Sequence, residues 1–211
     1  MNLSKVQIYY IDAYLVKKGI KYLDVKLEMV DHIASEIENK IENENISFDD
    51  AFSVVIKTWQ YQFNDSRSFW TGIAITYPKI VLDKMLLNMK IASIYTFVFM
   101  LIGLSFFAYF QKELNEVLQS FSAEIELVCF LLLTLIVTII IMINIKKQST
   151  TFSFFINRSA SIIPIGFFVL LLDEEVVQLQ FFYVLILFFQ FAHMLKNYYL
   201  HRNFIKKHQI S

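Results

Sequence analysis

Two spacings of apolar residues divide this chain. Through about residue 64 apolar side chains return every third or fourth position with charged ones between them, whereas beyond about residue 90 they run on with almost no charge. The first pattern predicts amphipathic helices. Ser4 can cap a first helix that carries Ile8, Ile11 and Leu15 on one face and stops at Gly19. A second runs from Tyr22 or Asp24 to Glu44, with Leu23, Leu27, Val30, Ile33/Ala34, Ile37 and Ile41 as its stripe and the polar Glu42-Asn43-Glu44-Asn45 as its end. A third starts at Ser47, with Asp50 three residues on as a relative of the capping box, Asp49 and Asp50 suiting the positive end of the helix dipole, and Phe48, Phe52, Val55 and Trp59 as its stripe. Residues 1–64 thus predict a three-helix domain, which at that size is marginally stable alone and is expected to lean on a partner, a second copy or the membrane surface.

Residues 65–90 read as an amphipathic juxtamembrane connector. Ser66-Arg67-Ser68 has the character of a loop, Phe69, Trp70, Ile73, Ile75 and Tyr77 that of an interfacial segment, and Pro78 suits the first turn of a helix leading toward the bilayer.

The second pattern predicts membrane spans, since about 20 apolar residues cross the hydrocarbon core. Residues 91–110, 127–145 and 176–195 are long enough. Residues 159–172 are short for a span; Arg158 can snorkel, so that Phe152–Ile156 supplies part of the missing length. The expected architecture is therefore all-α: a small N-terminal three-helix domain, a four-helix transmembrane domain over 91–195, and a basic tail over 196–211.

Charge then orients the expected spans. With four crossings, one side of the membrane receives residues 79–90, 146–158 and 196–207, which hold ten basic residues and a single acid, Asp83. The other side receives 111–126 and 173–175, with one base, Lys112, and seven acids: Glu113, Glu116, Glu124, Glu126, Asp173, Glu174 and Glu175. The positive-inside rule places the N-terminal domain, the middle loop and the tail in the cytoplasm, in a cell inner membrane. The first 20 residues lack a continuous apolar stretch, so no cleavable signal peptide is expected.

Composition agrees with this division. The hydrophobic fraction is 56% and the charged fraction 18%, against about 45–50% and about 25% in soluble domains. The formal net charge of zero offers no overall field for nucleic acid, and direct nucleic-acid binding is not expected. Residues 1–64 are acidic, with seven lysines against ten acids, a difference of −3. Cys129, the one cysteine, lies within an apolar run and reads as a packing residue.

Few residues suggest chemistry. Glu28, His32 and Glu36 stand at i, i+4 and i+8 on the second helix, with Asp31 and Ser35 beside them. Two carboxylates bracketing an imidazole can hold a divalent metal, but a zinc site needs more ligands than this. Ordinary i,i+4 pairing on a solvated face accounts for the pattern, and a docking face for another protein is the third reading. His193, Gln190, Gln178 and Gln180 lie toward the ends of the last span, where they can bond to neighbouring helices or reach the interface. No Asp, Glu, Lys or Arg lies in the middle of the three long spans, which weakens a case for a proton-coupled carrier. Pro164 and Gly166 allow a kink in the short third span. No Gly-rich phosphate loop, Ser/His/Asp set or cysteine-nucleophile motif is visible, so neither an enzyme nor a bound cofactor is expected.

The stretch Ile20–Trp59, with Leu27-Glu28, Asp31-His32, Ile37-Glu38 and Ser47-Phe48-Asp49-Asp50-Ala51-Phe52, resembles the HAAS-type helical domains, small cytoplasmic modules placed before membrane helices and often encoded beside PadR-type transcriptional repressors. The connecting turn here is Asn-rich and lacks the Gly that often marks it in that family. The resemblance implies a regulatory or sensory membrane protein without catalytic residues, whose cytoplasmic domain docks a protein partner such as a transcriptional regulator. The site residues expected for docking are Glu28, Asp31, His32 and Glu36. The other expected partners are membrane lipids and a second copy of the chain. The alternative function is a small permease or an accessory subunit of a transporter complex.

Overall fold

A computed structural model describes residues 2–146, 148–171 and 177–208, with the backbone alone at 104, 106–108 and 111–115. The protein is all-α and divides into two units. One runs to Lys90 and takes in Ser149–Thr151, and the other comprises Ile91–Gln148 and the described chain from Phe152 onward. Of the segments that the sequence reading used, Lys147, residues 172–176 with the acidic Asp173, Glu174 and Glu175, and tail residues 209–211 lie outside the described residues.

In the first unit the chain forms α1 (Lys5–Lys17), α2 (Leu23–Glu44) and α3 (Phe48–Trp59). Each boundary has a local cause. Ser4 closes a full capping box: its Oγ accepts the Gln7 N–H at 3.3 Å, and Gln7 Oε1 accepts the Ser4 N–H at 2.8 Å. Gly19, at φ +84°, takes the left-handed turn between α1 and α2. Asn45, at φ 51°, ends α2 in the same region, a place where Asn substitutes for the usual glycine. Ser47 caps α3 by accepting the Asp50 N–H at 3.3 Å.

The inward faces meet as the apolar spacing predicts, with Ile11, Leu15, Ile33, Ile37 and Ala51 all fully buried. An edge-on ring cluster joins α1 to α3, with Phe52 centred 5.0 Å from Tyr10 and 5.4 Å from Tyr14. In the first half of α2, Val25 and Met29 are buried while Leu23 and Leu27 are only half-buried. The opening turns of α4 (Lys79–Tyr109) belong to this unit; Val81 and Met85 there are fully buried, and Lys84 reaches Glu28.

Between α3 and α4 the chain makes a 3-10 turn (Gln60–Phe63) and then a minimal antiparallel pair, β1 (Asp65–Ser66) with β2 (Tyr77–Pro78). The Lys79 N–H donates to the Asn64 carbonyl at 3.0 Å, which starts α4 directly behind Pro78. The excursion between these strands leaves Phe69, Ile73 and Ile75 exposed.

In the second unit α4 continues from Ile91, followed by α5 (Gln111–Ser120), α6 (Ser122–Ile145), α7 (from Thr151 to Arg158), a 3-10 turn (Ser159–Ile162), α8 (Ile163–Leu170) and α9 (Val177–Lys207). Among the described residues four helical stretches are long and apolar enough to cross a membrane: Lys79–Gly103, Ser122–Ile145, Thr151–Leu170 and Val177–Lys207. The chain is a multi-pass membrane protein. The third stretch begins at Thr151, ahead of Ser159 and taking in the Phe152–Ile156 segment expected to lengthen it, and its 20 residues reach a full crossing length because the change of winding at Ser159–Ile162 does not interrupt the helical run.

The core of this unit lies where α6 faces α8 and α9. Cys129, Leu133, Ile136, Val169, Leu187 and Met194 are buried in it. Close approach there depends on Gly166, since a Cβ at that position would stand 2.8 Å from both Leu133 methyls and from the Tyr183 hydroxyl. Tyr183 donates to the Ile162 carbonyl at 2.6 Å, at the point where the helix changes winding. Asn144 and Asn157 exchange paired amide bonds of 3.0 and 3.1 Å, and Gln180 donates to Glu126 at 3.3 Å.

Candidate functional site

The residues expected for docking, Glu28, Asp31, His32 and Glu36, lie along α2 on its outward face, and all four are exposed. They are not equivalent. Glu28 is held by Lys84, whose Nζ stands 2.5 Å from Glu28 Oε2. Glu36 accepts the Trp59 indole N–H at 3.0 Å, so it leans toward α3. Asp31 and His32, between these two, have no partner among the described residues. The face therefore consists of two carboxylates fixed at its ends and an acid and an imidazole free to engage something else.

Toward its C-terminal end the face adjoins an open hollow of about 320 Å³ between α2 and α3, lined by Glu36, Asn39, Lys40, Asn43, Val54 and Thr58. Lys40 pairs there with Glu44 at 2.6 Å. Glu28 and Glu36 are held by Lys84 and Trp59, on two different helices, and no hydrogen bond or ion pair joins either carboxylate to His32 among the described residues. Among the described residues no three His, Cys, Asp or Glu side chains gather as metal ligands would.

A second polar group in the same unit went unread in the sequence. Asp24 is 5% exposed, yet it carries a carboxylate. One oxygen accepts the Thr151 N–H at 2.8 Å, the other accepts the Thr151 hydroxyl, and Lys84 Nζ stands 3.8 Å away. Next to it the Leu23 N–H donates to the Ser149 carbonyl at 2.9 Å. Thr151 is the first residue of a helix, where the backbone N–H lacks an intrahelical partner, and the Asp24 carboxylate supplies one. The partial signal available was Asp24 one helical turn before Glu28, two acids on one face that call for a cation; the partner more than a hundred residues away had no local signature. Beside this group, burial pushes the Tyr22 phenol above its ordinary range, and the adjacent Tyr77 adds to the effect.

The polar residues singled out in the last span lie apart from this face in the chain. Asn197 donates to the His193 carbonyl at 2.9 Å, one turn along α9. Gln180 is buried and bonded to Glu126. The first contact stays within α9, whereas the second joins α9 to α6. No known protein family, curated protein or solved structure matches the chain.

Proposed function

We propose that the protein is a regulatory or sensory membrane protein whose N-terminal helical unit docks a cytoplasmic protein through the outward face of α2. The observation that carries this reading is the pair Asp31 and His32, exposed and without partners between two carboxylates that are already held in place. Fixing Glu28 and Glu36 in advance lowers the ordering cost of binding, and an acidic face selects a partner with a basic surface. A transcriptional regulator of the PadR type has the required location, and the likeness of Ile20–Trp59 to HAAS-type domains supports that choice. The excess of basic residues in 79–90, 146–158 and 196–207 supports a cytoplasmic placement of the unit and of the tail, in the cell inner membrane.

The test is crosslinking in intact cells followed by identification of what co-purifies with the full chain. Asp31→Asn combined with His32→Ala leaves the Lys84 and Trp59 contacts in place and removes the two free groups. Loss of the co-purifying protein in this variant supports the docking face. Undiminished capture, with the tryptophan emission of the folded unit unchanged, rules it out. Solute flux in proteoliposomes containing this protein alone supports the permease reading instead.

A further inference from the structure

Helix α1 is apolar on two faces, and only one of them is used within the fold. Ile11 and Leu15 are fully buried, whereas Val6 is 77%, Tyr9 73% and Val16 52% exposed, and Ala13 is exposed with them. Positions 6, 9, 13 and 16 follow the 3-4-3 spacing of a coiled-coil seam and fall within one narrow arc of the helix, opposite the buried stripe. A surface helix needs one apolar stripe, so the second calls for an occupant.

The flanking charges point to what that occupant is. With Val6 and Ala13 at the a positions, Lys5 and Asp12 fall at g and Tyr10 and Lys17 at e. In a parallel, in-register pair each g residue faces the e residue five positions on in the other helix, which sets Asp12 against Lys17 of a second copy, twice by symmetry. In an antiparallel pair g residues face g and e residues face e, so Asp12 and Lys17 are not brought together. Lys17 is exposed and has no partner among the described residues. Asp12, bound to Lys26 at 2.7 Å and 29% exposed, keeps acceptor capacity for a second cation.

We propose that α1 pairs in parallel with α1 of a second copy of this chain, along Val6, Tyr9, Ala13 and Val16. Two heptads are short for a free coiled coil, but copies confined to one membrane meet at high effective concentration, which makes so small a seam sufficient. This surface lies on a different helix from the docking face and stands or falls separately from it.

The test uses the full chain in membranes, with Cys129→Ala as background. Single cysteines replace Tyr9 or Val16 in the seam and Ser53, exposed on α3, as control, followed by mild oxidation. Disulfide-linked dimers are expected from both seam positions and not from Ser53. Lys17→Glu, which sets two acids against each other, is expected to cut the dimer yield, and adding Asp12→Lys to it to restore the yield. Tryptophan emission checks the fold of each variant. If the double variant fails to fold, Lys17→Glu alone decides, because Lys17 has no hydrogen bond or ion pair among the described residues. Absence of dimer at both seam positions, equal dimer at Ser53, a yield indifferent to Lys17→Glu, linkage of Tyr9 to a different protein, or labelling of the stripe by a bilayer-restricted probe would each overturn the pairing.

Discussion

Helices α2 and α6 are of similar length and both bury one side, yet they carry that side differently. In α2 the buried residues (Val30, Ile33, Ile37) alternate with exposed acids, so the sequence announces which face turns inward. In α6 the buried Ile136 is preceded by Leu135, 47% exposed, and both are aliphatic. The difference is one of solvent. Water rewards a polar exposed face, so an amphipathic stripe is required of a helix in the first unit. Lipid is as apolar as leucine, so nothing distinguishes the packed face of a span from its lipid face except shape and the few polar groups that bond across helices. The first unit is held by a hydrophobic driving force, and the second by dispersion, small residues and hydrogen bonds.

The protein carries a separate reporter for each unit. Both tryptophans, Trp59 and Trp70, lie in the first, and the single cysteine, Cys129, is buried in the second. The largest effect is expected from Ile33→Ala, which removes buried aliphatic volume from a core sheltered from water. It should destabilise the first unit by about 3 kcal/mol, seen as an earlier denaturant midpoint in tryptophan emission. Next comes Asp24→Ala, which leaves the Thr151 N–H and hydroxyl without an acceptor and Lys84 with Glu28 alone. About 2 kcal/mol is expected by the same readout, and an unshifted midpoint would show that the buried carboxylate contributes nothing net.

The membrane half of the comparison is probed by the adjacent pair on α6. Ile136→Ala should cost roughly 1–2 kcal/mol, the cavity part of the penalty without the transfer part, and should speed thiol labelling of Cys129. Leu135→Ala should leave that rate unchanged; equal acceleration by both would refute the assignment of the packed face. The smallest effect is expected for the amide pair. A double-mutant cycle between Asn144→Leu and Asn157→Leu should give a coupling of about 0.6 kcal/mol, the ordinary value for a hydrogen bond between membrane helices.

Much of the first unit was legible because its boundaries are made by local chemistry. Ser4, Gly19, Asn45 and Ser47 end or begin helices through bonds and backbone angles set within a few residues of themselves. The outward position of Glu28, Asp31, His32 and Glu36 was legible too, since 3.6-residue periodicity places them. Their inequality was not: Lys84 and Trp59 distinguish them, and each arrives from another helix. The connector gave no sign that Val81 and Met85, in the helix that follows Pro78, are buried.

Sequence alone determined that the chain has a polar helical part and four apolar stretches, because hydration and the thickness of a bilayer act on composition and period, which are properties of the chain read in order. Tertiary structure alone decided that Asp24 is buried and satisfied by Thr151, that Gly166 admits Leu133 and Tyr183, and that α1 keeps a second apolar stripe outside. Each of these depends on which groups distant in the chain come within a few ångströms of one another, and neither period nor composition encodes that distance.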